Sequence, residues 1–266
     1  MIRTAKLIGL FIRVSVQNFA AYRFDLAARF MLSLMQLGGE LFVVWTIFSN
    51  TQSLRGWQWQ HMLVLVGVYR MVAGGIRISI VPNMRKVLED IREGTLDFVL
   101  LKPVNSQLLV SIREFVPWRI SDPILGGTMA VIGCVKLSGH VPAAQAVLFV
   151  LMLAAGFVIV YSTWLMIATL CFWFVRIQNI EMVFWNVFEA GRFPIVIYRP
   201  WVQWVLTFVV PLAFITTFPA GTLLNDPNTG VPAMAPLYAF AVAIGMLIVS
   251  NRFWSYGLKH YSGASA

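Results

Sequence analysis

The chain has 266 residues, 59% of them hydrophobic and 12% charged, with a mean hydropathy of +0.77. A soluble domain of this size must clothe itself in polar side chains, so the composition excludes one and points to a chain whose surface faces lipid. The net charge of +9 does not indicate a nucleic-acid partner, because the basic residues fall between apolar runs, where membrane topology concentrates them.

Residues 2–22 are expected to form a basic amphipathic helix. Arg3, Lys6, Arg13 and Gln17 share one face of it, so it should lie along the cytoplasmic leaflet. Arg13 interrupts what would otherwise be a leader's apolar core, so no cleavable leader is expected. A first span is expected over 26–48 and a second over 61–81, joined by a polar loop with Trp57 and Trp59. The longest polar stretch, 82–119, follows. The third span is expected at 120–137 and a long fourth run at 143–175. The mixed stretch 176–200 reads as a cytoplasmic or interfacial helix leading into a fifth span at 201–218. That span is broken by Pro211 and stopped by Phe218-Pro219, which suggests a bent span with a re-entrant outer segment. Residues 219–232 read as a loop and 235–253 as the sixth span.

Lys and Arg set the orientation. The segments assigned inside hold nearly all of them, including Arg85, Lys86, Arg92, Lys102, Arg113 and Arg119, whereas the segments assigned outside hold only Arg55. Six spans with both termini cytoplasmic follow, and residues 1–266 form a single membrane domain. Cys134 and Cys171 are expected toward opposite leaflets, so they should not pair.

Catalytic motifs are missing. There is no G-x-x-x-x-G-K-[ST] phosphate loop and no G-x-S-x-G elbow, and His61, His140 and His260 lack metal-ligand spacing. Charges inside spans cost several kcal/mol, so Glu40 and Arg70 need an explanation. Glu40 lies eight residues from the outer end of the first span and Arg70 nine from that of the second, hence at nearly equal depth. They are expected to form an interspan ion pair that locks the two spans together; a substrate-contacting charge site is the alternative.

Within the polar stretch, Met84, Val87, Leu88 and Ile91 form one apolar stripe of a short helix. Arg85 with Glu89 and Lys86 with Asp90 lie at i, i+4 on its other side, and Gly94 is placed to end it. Two readings stand: a solvated loop between spans, or a docking element for a cytosolic partner.

The run Ile91-Arg-Glu-Gly-Thr-Leu-Asp-Phe-Val-Leu-Leu-Lys-Pro103 resembles the R-x-G-x-L-D-x-x-L-x-x-P signature of type-2 ABC exporter permeases. The likeness continues in Phe193-Pro-Ile-x-Ile-Tyr198, in Pro211-Leu-Ala-Phe-x-x-Thr-Phe-Pro-Ala220 and in Trp254-x-x-Gly-Leu-Lys-x-Tyr-Ser-Gly-Ala264. The resemblance implies an all-α integral membrane protein with the type-2 ABC exporter transmembrane-domain architecture: six transmembrane helices, an N-terminal amphipathic interfacial helix and a cytoplasmic coupling helix. It implies a permease subunit in the bacterial cytoplasmic membrane, paired with an identical or related permease. Separate cytosolic ABC ATPase subunits would carry the ATP and Mg, and membrane lipids would surround the spans. On that resemblance, Arg92, Glu93, Gly94, Thr95, Leu96, Asp97, Lys102 and Pro103 form the ATPase-coupling interface. Asp97 would either accept hydrogen bonds from the ATPase or cap the following helix. Pro211, Phe218 and Pro219 belong to an outer gate. A secondary transporter or channel without an ATPase is the alternative, and it would have no use for such a docking helix. A membrane-embedded lipid-modifying enzyme would need a His, Asp or Glu cluster that the sequence lacks.

Overall fold

The computed structural model describes residues 23–138, 141–174 and 179–261. The expected amphipathic helix at 2–22, His140, Arg176 and the end of the tail motif lie outside the described residues. Among the described residues there are helices and no β-strand. Five helices are long and apolar enough to cross a membrane: α1 (Arg23–Asn50), α2 (Trp59–Glu93), α5 (Ser121–Ser138), α6 (Ala143–Leu170) and α11 (Ala235–His260).

The central element is α2, which is buried for most of its length, whereas α1 exposes Phe30, Met35, Phe42 and Trp45 along its apolar faces. α2 also corrects the expected boundary at residue 82. It runs unbroken for 35 residues through Pro82, so the expected docking helix is the far end of the second span. Pro82 has no N–H for the carbonyl of Ile78, four residues earlier, and its ring crowds that carbonyl. The helix answers with a wide turn at Ile76–Ile80, and the freed Ile78 carbonyl accepts the backbone N–H of Val116 at 3.0 Å.

α2 packs along α5 through glycines. Gly67 and Gly74 on α2, and Gly126 and Gly133 on α5, each stand seven residues apart, on one helix face. A Cβ on Gly67 would come 2.5 Å from the Gly126 carbonyl oxygen, and a Cβ on Gly126 would meet the Gly67 carbonyl at the same distance. Lipid gives helices no hydrophobic reason to associate, so close backbone approach at small residues is what holds this pair. On the other side, α11 lies along α6.

The segment 180–224 departs most from expectation. Residues 201–218 are not one span. α7 (Ile180–Phe188) starts at the Glu93 end of α2, where Arg85 grips Glu181 (Nη2 to Oε2 2.7 Å). It rises until Phe188 packs on Tyr69, with ring centroids 5.2 Å apart. Two single turns, Glu189–Arg192 and Ile195–Ile197, carry the chain on until Val196 meets Gly230. Gly230 belongs to the turn fixed at the Trp59 end of α2, where Trp57 Nε1 donates to the Thr229 carbonyl (3.0 Å) and His61 faces Asp226 (3.3 Å). The chain then dips back through α8 (Pro200–Trp204) and a wide turn at Val205–Val209, breaks at Pro211, and returns through α9 (Leu212–Ile215) and α10 (Thr217–Leu224). Leu212 and Thr216 touch Gly191 and Ile215 touches Gly156, so the bottom of this hairpin lies at mid-depth. Polar side chains satisfy backbone groups that the breaks leave free: Thr217 Oγ1 accepts from Ile195 N (3.2 Å), and Gln203 Nε2 donates to the Tyr198 carbonyl (2.8 Å).

Two expectations fall with this. Pro219 does not stop a helix; it sits in the first turn of α10, where its missing N–H costs nothing. Residues 219–232 are not a plain loop, since they begin inside that buried helix.

The glycine contact gives a direct test. Gly126→Ala should lower stability by about 1–3 kcal/mol through overpacking. Gly245→Ala, on α11 with nothing within 4 Å of the new Cβ, should be neutral. Thermal unfolding in detergent separates them; equal melting temperatures would mean that the α2–α5 contact does not depend on backbone approach.

Candidate functional site

Two polar constructions stand out, one at mid-depth and one at the Glu93 end, and α2 runs between them. At mid-depth, α2 contributes Arg70, whose side chain is 5% exposed. Nη1 donates to Glu40 Oε2 of α1 at 2.9 Å, and Nη2 donates to the Ser33 carbonyl (3.0 Å), to Ser33 Oγ (2.9 Å) and to Asp122 Oδ1 of α5 (3.2 Å). Ser33 Oγ also donates to Asp122. Arg77, two turns further along α2 toward Glu93, approaches the second Asp122 oxygen at 3.7 Å and stacks over Trp185 of α7. Arg192 lies over the Tyr69 ring, 3.9 Å from Glu40 and 3.2 Å from Glu189.

These groups line a cavity of about 360 Å³ between α1, α2, α5 and the Glu189–Arg192 turn. Arg70, Arg77 and Arg192 face Glu40, Asp122 and Glu189, so the charges balance. The structure therefore brings Glu40 and Arg70 together, and it surrounds them with partners that sequence reading missed. Asp122 was hidden because it opens a helix, where an acidic residue is ordinary. Ser33 carries no charge and gives no signal inside an apolar run.

At the Glu93 end, α2 stops at Gly94, which adopts φ +69°. One turn, α3 (Asp97–Leu100), follows, then a bend at Lys102 and Pro103, and then α4 (Ser106–Ile112), capped by Asn105 Oδ1 accepting from Leu108 N at 3.0 Å. Asp90, itself buried, organises the tip. Its carboxylate accepts from Arg113 Nη1 (2.7 Å) and Thr95 Oγ1 (3.1 Å), and its carbonyl takes the N–H groups of Thr95 and Leu96. Asn83, also buried, clamps the returning chain by exchanging two hydrogen bonds with the Glu114 backbone (2.7 and 2.8 Å). Gln107 of α4 donates to Tyr161 of α6 at 3.2 Å and to Asn251 of α11 at 2.6 Å, so the tip is tied to two further helices through α4.

The stripe Met84, Val87, Leu88 and Ile91 is buried within this chain and faces no partner. Leu96 is buried too, so of the expected interface it serves as an internal anchor. Arg92, Glu93, Lys102 and Pro103 are exposed, Gly94, Thr95 and Asp97 half-exposed. Phe98 and Leu101, 70% and 80% exposed, were not singled out from sequence; they became visible only once Leu96 and Val99 were seen to turn inward. The Asp97 carboxylate makes no hydrogen bond to a described residue and caps nothing. Lys86 lies 3.7 Å from Asp90 as spacing suggested, but Arg85 reaches Glu181 in place of Glu89.

At the third expected site, Pro211 starts α9 at mid-depth, and Phe218 packs edge-on against Phe214 with centroids 4.9 Å apart. Among the described residues no group of His, Cys, Asp and Glu is placed to hold a metal ion.

The sequence profile described as ABC-2 family transporter protein matches residues 34–265, nearly the whole chain. No curated protein matches it significantly.

Removing the sole partner of a buried charge costs about 3–5 kcal/mol. Glu40→Gln leaves Arg70 with Asp122 and should cost less than that, whereas Asp122→Asn weakens contacts to Arg70, Arg77 and Ser33 and should cost more than Glu40→Gln. Thermal unfolding ranks the two variants, and the reverse order would show that Asp122 is not the centre of the cluster. Additive losses for Glu40→Gln and Arg70→Gln in a double-mutant cycle would show that their contact has no energetic weight.

Proposed function

We propose, because the chain belongs to the ABC-2 family of transporter proteins, that it is the membrane-spanning permease subunit of an ATP-binding cassette exporter. On this reading it pairs with a second permease, identical or related, and separate cytosolic ATPase subunits drive it. The chain is a multi-pass membrane protein, and we place it in a bacterial cytoplasmic membrane with both termini inside. The five long helices supply five crossings. We assign the sixth to residues 180–198, with 200–224 as a hairpin dipping in from outside; the contacts of Glu181 and Gly230 with opposite ends of α2 support this. Pro211, Phe218 and Pro219 then lie in that hairpin, the outer gate of this reading.

The observation that carries the proposal is the tip at the Glu93 end. Phe98 and Leu101 project from a one-turn helix that Asp90, Arg113 and Leu96 hold in place. Arg92, Glu93, Asp97 and Lys102 surround them with charge. An exposed aromatic and an exposed leucine on a fixed turn, ringed by polar groups, suit insertion into a groove of a partner protein. ATP and Mg would bind that partner, and its motion would reach the spans through α2.

Truncating a central anchor typically costs about 2 kcal/mol or more, roughly thirtyfold in affinity. Phe98→Ala and Leu101→Ala should each release the ATPase that co-purifies with the wild-type chain while leaving the permease's own melting temperature unchanged. Leu96→Ala, a core truncation, should lower the melting temperature. Undiminished ATPase retention in the Phe98→Ala, Leu101→Ala double variant would overturn the assignment of the docking tip. The absence of any ATPase from the wild-type complex would overturn the exporter reading itself.

A further inference from the structure

A second polar cavity, about 270 Å³, opens beside the first at the level of Arg77. Arg29 of α1, Arg77 of α2, and Trp118 and Arg119 of the turn preceding α5 line it, with Ser121 and Asp122 at its back. Its depth follows from α2. Arg77 lies eighteen residues beyond Trp59, which at the helical rise is about 27 Å, close to the full thickness of a hydrocarbon core of about 30 Å. The arginines therefore sit at the headgroup level of the leaflet at the Glu93 end, where Trp118 is also at home.

Leaving Arg29 aside, Arg77 and Arg119 share a single carboxylate here, and Asp122 is already engaged by Arg70 and Ser33. Arg119 is half-buried, lies within electrostatic range of Arg77, Arg29 and Asp122, and makes no side-chain hydrogen bond or ion pair to a described residue. A half-buried guanidinium without such a bond is costly, and an anion entering from the membrane side would relieve it. Phosphate matches the guanidinium fork best, and basic pockets between membrane helices at this level hold phospholipid headgroups. The volume lies below the 300–1,000 Å³ typical of pockets that enclose a whole small molecule, so it suits a headgroup whose chains stay outside. Leu32 on its wall and Ile120 beside Arg119 are exposed and apolar, as those chains require.

We propose that the cavity formed by Arg29, Arg77, Trp118 and Arg119 binds the phosphate headgroup of an anionic phospholipid from the leaflet at the Glu93 end of α2. The site does not depend on the exporter reading.

The test uses the full chain in nanodiscs of phosphatidylcholine with increasing phosphatidylglycerol, following lipid retention by native mass spectrometry and the melting temperature. Wild-type protein should retain phosphatidylglycerol and melt higher as its fraction rises. Arg119→Gln should weaken the apparent affinity about tenfold, the scale of one lost charge-assisted hydrogen bond. Arg29→Gln, on a different helix, should do the same, so a folding defect in one variant does not decide the matter. Arg119→Lys should keep most of the affinity, and Lys259→Gln, an equal charge change at the exposed end of α11, should keep all of it. Wild-type affinity in both Gln variants would overturn the site. An equal loss in Lys259→Gln would overturn it in favour of diffuse surface attraction. Equal stabilisation by inorganic phosphate in pure phosphatidylcholine would overturn the lipid in favour of a free anion.

Discussion

A single hydrogen bond, from the N–H of Val116 to the carbonyl of Ile78, lets α2 pass through a proline without ending. Without it, the carbonyl orphaned by Pro82 would be buried unsatisfied, at a cost of about 1–3 kcal/mol. With it, one helix of 35 residues, about 52 Å long, carries Arg70 at mid-depth and the Gly94 turn at its end. The donor belongs to the chain returning from the tip, and Asn83 fixes that same return through the Glu114 backbone. The tip is thus built on the rod that reaches the charged cavity.

The half of that rod nearer Trp59 holds α1. Apolar contacts fasten α1 at two places: Leu37 packs with Leu63 and Met129, and Val44 joins the main core with Phe48 packed against it; its other apolar faces are largely exposed. Arg70 supplies the polar attachment, through Glu40 and Ser33 at once. Polar bonds break and re-form with small displacements, whereas a packed core shifts between discrete arrangements. The polar part of this attachment can change partners: Arg192, 3.9 Å from Glu40, is the alternative already in place. Displacement of α2 along its axis would act on this attachment before anything else.

Sequence made the long elements legible, since α1, α5, α6 and α11 each fill an apolar run of spanning length. Matched depth also located Glu40 opposite Arg70, because antiparallel helices share one rise per residue. What stayed hidden depended on partners distant in sequence. Pro82 marks a helix end by every local rule, and its exception lies thirty-four residues away at Val116. The run 201–218 is apolar enough to span, but Pro211 and bonds from Gln203 and Thr217 fold it into a hairpin whose backbone needs are met locally. The stripe from Met84 to Ile91 was legible as a stripe. Which neighbour it faced was not, because a helix buries an apolar face in its own chain or in a partner with the same periodicity.

On the proposed exporter reading, α2 transmits motion from the tip to the Arg70 cavity as one rigid body. Replacing Val81 and Pro82 by a pair of glycines would soften the rod between them while sparing both ends. In a complex with the ATPase subunits of the proposed exporter, the labelling rate of a single cysteine at position 43, on the cavity wall, is measured with and without ATP. The account predicts an ATP-dependent change in the parent protein that disappears in the glycine variant, with the ATPase still bound. An ATP-dependent change of the same size in both would contradict it.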